Sequence, residues 1–130
     1  MAYNSLAVPQ WLGNVVVASP GTPVQITNVL QATSNGSGNI VGSATDPVLC
    51  NQVNINASPI THTGAGNTGK IYFGTKNMVR ATLVGVYAVI SPGQGFQMTN
   101  NVALNIFDAN QLYLDADTAG DAGYGSIVTV

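Results

Sequence analysis

Charge is what this sequence has least of. Only 6% of its 130 residues are Asp, Glu, Lys or Arg, against about 25% in an average soluble protein, and glutamate is missing altogether. The ionisable side chains that remain are Asp46, Asp108, Asp115, Asp117, Asp121, Lys70, Lys76, Arg80, His62 and Cys50, scattered along the chain. That is a poor stock for acid–base chemistry, so no enzyme, no catalytic residue and no cofactor are expected. Three basic residues and a formal net charge of −2 cannot neutralise the row of phosphates that gives nucleic-acid proteins their affinity, which argues against that partner. A polybasic contact with a membrane surface fails for the same reason. The single cysteine, Cys50, rules out an internal disulfide and suits assembly in a reducing compartment. No apolar run reaches the roughly 18 residues of a membrane span, and Met1 to Gly21 lacks the basic start and apolar stretch of a signal peptide.

What the chain has instead is apolar and β-branched runs of strand length, broken by clusters of Gly, Pro, Asn and Ser. Strands are expected near Asn14 to Ser19, Val24 to Gln31, Val48 to Asn56, Lys70 to Gly74, Leu83 to Ile90, Gly95 to Thr99, Leu104 to Phe107, Gln111 to Asp115 and Ser126 to Val130. Alternation in Val24-Gln25-Ile26-Thr27-Asn28-Val29 and Val53-Asn54-Ile55-Asn56 gives those strands one wet face. Leu83 to Ile90 does not alternate, so it reads as a strand covered on both faces or buried against another chain. No helical period and no fixed repeat appear. The expected fold is all-β: a single-domain β-sandwich or jelly roll of about eight short strands. It would occupy residues 14–130, with residues 1–13 as an extended N-terminal arm, 31–46 as a long polar loop, and edges protected by Pro20, Pro23 and Pro47.

Several patterns resemble chemistry. Gly64-Ala65-Gly66-Asn67-Thr68-Gly69 spells GxGxxG, but a dinucleotide site needs a helix to open there, and the β-type run Lys70-Ile71-Tyr72-Phe73 follows. Asp115, Asp117 and Asp121 are the candidates for a metal, as carboxylates that could gather around calcium. The segment departs from the EF-hand at Ala119 and Ser126, and a turn whose aspartates bind local backbone amides is the simpler reading. His62 and Cys50 have no local signature of a catalytic pair, and Ser91-Pro92-Gly93 lacks the flanking glycines of a nucleophile elbow. Trp11 is read either as a core residue or as an interface residue, the anchor by which the arm plugs a neighbouring chain.

From Val53 onward a succession of pieces carries more. Val53-Asn54-Ile55 is followed by Gly69-Lys70-Ile71-Tyr72-Phe73-Gly74, then by Ser91-Pro92-Gly93-Gln94-Gly95-Phe96. Leu112-Tyr113-Leu114-Asp115-Ala116-Asp117-Thr118-Ala119-Gly120-Asp121 closes the series before a last strand. In order and spacing, residues 53–130 resemble a domain of small structural proteins of the tailed-bacteriophage virion, of the head decoration or cement type. The resemblance implies a β-sandwich on the capsid surface, made in the host cytoplasm, that binds the major capsid protein and stabilises the assembled head. It also implies a homotrimer and no catalytic residues. Left open beside it are a tail, fibre or head-fibre attachment module and a non-viral carbohydrate-binding or adhesion sandwich. With 45% hydrophobic residues and a mean hydropathy of +0.24, some apolar surface is expected to be hidden between copies.

Overall fold

A computed structural model describes residues 8–28, 47–57, 66–99 and 106–129. Expectations placed on residues 1–7, on the loop 31–46 and on His62 fall outside them. Nine strands are present among the described residues: β1 (Val8–Val16), β2 (Val24–Gln25), β3 (Leu49–Ala57), β4 (Ile71–Val79), β5 (Val84–Ile90), β6 (Gly95–Thr99), β7 (Phe107–Asp108), β8 (Tyr113–Ala116) and β9 (Ala122–Thr129). One sheet runs β1-β9-β3-β6, with β7 paired to the start of β3, and the other runs β2-β8-β4-β5. All pairings are antiparallel. The fold is the all-β sandwich expected from composition and patterning.

Period-two alternation builds the space between the sheets. Along β3, Val53, Ile55 and Ala57 point inward while Asn54 and Asn56 do not. A register shift between Cys50 and Gln52 lets Cys50, three residues before Val53, face inward too. Leu12, Val15, Ile127 and the β3 residues meet Ile71, Phe73, Leu114 and Ala116 from the second sheet. Each large apolar side chain buried this way contributes about 1.5–3 kcal/mol. The Phe73 ring sits 5.8 Å from that of Phe96 and 6.0 Å from that of Tyr87.

Several boundaries differ from expectation, for physical reasons. β1 starts at Val8, six residues before the expected Asn14, so Trp11 lies within a strand paired to β9. Pro9 is tolerated because β1 is an edge strand. β4 continues past its expected end at Gly74 through the polar Thr75-Lys76-Asn77, and β9 begins at Ala122 rather than Ser126. Pro47 guards no edge, since it precedes β3, an inner strand. The expectation that Leu83 to Ile90 is covered on both faces is overturned: β5 is the outermost described strand of its sheet, and Val84, Tyr87 and Val89 are exposed.

Candidate interaction surfaces

The ionisable residues come first, because their geometry decides how much charge the surface has to offer. β8 pairs with β4 so that Tyr72 lies opposite Asp115. Asp115 is buried, and its carboxylate accepts hydrogen bonds from the Gly21 amide at 2.9 Å and the Ala116 amide at 2.8 Å. Arg80, beyond the end of β4, meets Asp115 through Nε at 3.1 Å and Asp117 through Nη1 at 2.8 Å. The Tyr72 hydroxyl donates to Asp117 as well, at 3.1 Å. Two of the three metal candidates are thus held by one guanidinium. Two pieces of the resemblance, Gly69 to Gly74 and Leu112 to Asp121, meet in this clasp.

The third candidate closes a separate contact. Asp121 is buried and accepts from the amides of Thr68 at 3.1 Å and Gly69 at 2.8 Å. These are amides of the glycine motif, which in a dinucleotide site would face a phosphate; here an internal carboxylate occupies them. Asn67 locks the same segment, its side chain exchanging hydrogen bonds with the backbone of Ala122 at 2.7 and 2.9 Å. Most of these partners are distant in sequence, unlike the local turn bonds expected. Asp108 holds the amides of Val48 and Asn110, both at 3.0 Å.

Cys50 is fully buried beside this last group. Burial, reinforced by the negative charge of Asp108 and opposed by the Gln52 amide, raises its pKa from 9.0 to about 11. An unfolded thiol ionises near 9.0 whereas the folded one keeps its proton to about 11. Deprotonation therefore favours the unfolded chain, and this contribution, full below pH 9, is lost as pH rises from 9.0 towards about 11. Tyr72 is shifted upward too, chiefly by burial and by its bond to Asp117, and adds to the same alkaline loss. Denaturant midpoints should be flat from pH 7 to 9 and fall above; a Cys50→Ala chain should lose stability less steeply over that interval.

With its aspartates absorbed, the outer face of the β1-β9-β3-β6 sheet is neutral. Register places Trp11, Ser126, Asn54 and Gln97 in one row across the strands, and Asn14, Tyr124, Asn56 and Gly95 in another. None carries charge. Trp11 is 61% exposed, its ring 5.7 Å from that of Tyr124. Trp11 is therefore not a core residue. Alternation would have located the Asn54 and Asn56 face, but Trp11 could join it only once β1 was known to start at Val8.

On the opposite sheet, the hairpin of β4 and β5 exposes Val79, Leu83, Val84, Tyr87 and Val89. Where the hairpin approaches β6 and β7, an open groove of about 610 Å³ is lined by Tyr87, Met98 and Phe107 together with Lys76, Asn77 and Gln111. Among the described residues no group of His, Cys, Asp or Glu side chains is arranged to hold a metal. No helix among them is long and apolar enough to cross a membrane. In comparisons with known proteins, no family model, curated sequence or solved structure matches the chain.

Proposed function

We propose that this protein is a structural component of a tailed-bacteriophage virion, a decoration protein that self-associates and binds the major capsid protein of the assembled head. The observation that carries the reading is the neutral outer face of the β1-β9-β3-β6 sheet, where amides and the Trp11–Tyr124 pair stand in register without a charge. Such a face binds by apolar burial and amide hydrogen bonds, neither of which is screened by salt. Many copies on a shell sum modest contacts, so each needs little affinity of its own. The phage assignment rests on the succession of pieces in residues 53–130. Composition of purified particles tests it: the chain should be present near the copy number of the major capsid protein. A much lower ratio moves the protein to the tail or a fibre, and its absence refutes the virion reading.

A second reading is favoured by the same face. Two aromatic rings beside Asn14, Asn54, Asn56 and Gln97 are what a neutral carbohydrate needs, stacking from the rings and paired donors and acceptors from the amides. An attachment module or adhesion sandwich would use them so. Retention on a glycan array, lost in a Trp11→Ala chain of unchanged melting temperature, would select this reading.

A further inference from the structure

We propose that the groove between the hairpin of β4 and β5 and the strands β6 and β7 is a binding site for a small aromatic anion, with Lys76 as its charge partner. Both sheets build it. Thr75, Lys76, Asn77 and Tyr87 come from one, and Met98 and Phe107 from the other. Met98 and Phe107 are half-buried and pack against the core, so the apolar lining is continuous with the interior. The groove volume of about 610 Å³ lies within the roughly 300–1,000 Å³ of small-molecule sites, which combine an apolar lining with a few placed polar groups.

An irregular stretch of backbone brings the polar groups to this lining. Gly74 stands opposite Val86 and Val79 opposite Val84, which leaves Thr75 to Met78 facing Gly85 alone. The pairing of β4 with β8 ends at Gly74 as well. A regular strand would send Lys76 to the face away from Thr75 and Asn77. The bulge re-aims these side chains, and all three line the groove. Gly85 permits it: its φ is +74°, and a Cβ there would lie 2.6 Å from the Thr75 Oγ1.

The charge left unspent in the groove selects an anion. Asp108 lines it too, but its Oδ1 already accepts from the amides of Val48 and Asn110, both at 3.0 Å. Lys76 is exposed, and among the described residues no carboxylate pairs with it, whereas Arg80 is held by Asp115 and Asp117. The rings of Tyr87 and Phe107 and the thioether of Met98 favour a flat aromatic body. Tyr87 is 53% exposed, so much of its ring is open to a ligand. Asn77 and Gln111 add amide donors for a carboxylate or sulfonate. This site goes beyond the proposed function and does not depend on what the neutral sheet face binds.

Fluorescence titration of the folded full chain tests the site, with anilinonaphthalene sulfonate as the anionic probe and phenylnaphthylamine as its uncharged analogue. The wild type should bind each at a single saturable site. Lys76→Gln, at an exposed position that the fold does not need, should weaken the sulfonate about fivefold, the size of an ion pair at an exposed lysine, and leave the analogue unchanged. Lys70→Gln, at a lysine outside the groove, should alter neither. Tyr87→Ser with unchanged circular dichroism should weaken both probes. A wild type without saturable sulfonate binding overturns the proposal, as do a Lys76→Gln chain that binds the sulfonate like the wild type and a Lys70→Gln chain that loses as much.

Discussion

Replacing Asp115 with alanine should lower the melting temperature by about 10 °C or more, a larger effect than expected at any other charged position. Asp115 is 1% exposed, and its carboxylate receives two backbone amides and the Arg80 guanidinium. Removing one member of a buried ion pair costs about 3–5 kcal/mol; here the Gly21 and Ala116 amides would lose their acceptor and Arg80 would keep only Asp117. Each kcal/mol moves the midpoint of a domain of this size by about 3–4 °C. The side chain of Arg80 is 27% exposed, so water recovers part of the loss and the lower half of the range is expected. Asp117 has a 42% exposed side chain, and Asp117→Ala should cost about 1 kcal/mol or less. Equal losses from the two substitutions, measured by thermal denaturation, would show that the clasp does not anchor β8 to β4.

The second large effect is expected at Gly125, in the middle of β9 between β1 and β3. A Cβ there would collide with the carbonyl oxygen of Asn54 and lie 2.8 Å from its carbonyl carbon and 3.2 Å from the Ile55 Cα. All three atoms are backbone of β3, and no rotamer change can move them aside. Gly125→Ala must therefore separate two hydrogen-bonded inner strands, at a cost of about 3 kcal/mol or more, a large share of the 5–15 kcal/mol that holds a typical domain together. Poor soluble yield, or a melting temperature depressed by about 10 °C, is expected. Wild-type behaviour of Gly125→Ala would mean that β3 and β9 are not in the described register.

Alternation between a wet and a dry face is a guide in β3 but misleads after Val24, where the strand expected to reach Gln31 ends at Gln25 and Thr27, expected to face water, is buried with its hydroxyl bonded to Asn110. Val53 and Ile55 alternate with Asn54 and Asn56, and β3 follows; β6 lies at its expected bounds, Gly95–Thr99. The misplaced limits fall where tertiary context overrides local preference. Pro9 and Gly13 disguise β1, and Thr75 to Asn77 disguise the second half of β4. β5 misleads in the opposite sense: its continuous apolar run signals burial, but the described chain leaves it at an edge.

For the candidate surfaces, sequence reasoning marks Asp115, Asp117 and Asp121 as a group and misses what they bind. Arg80 is 35 residues from Asp115 and 37 from Asp117 in sequence, a separation at which no local pattern operates. One signal was available: Asp115, near the end of β8, and Asp117, just past it, are two residues apart and call for a shared cationic partner in a chain with a single arginine. The Asp121 contact with Thr68 and Gly69 had no such signal, because a glycine loop and a lone aspartate give no sign of their pairing.

Surfaces that work without charge are the central claim, and the most direct test is co-sedimentation of the purified chain with phage heads stripped of it, from low salt to about 1 M, where the screening length falls to about 3 Å. Binding that saturates near one chain per capsid subunit and is unchanged across the series is the predicted result. Heads that bring down none of the chain, or binding that falls steeply as salt rises, would contradict it.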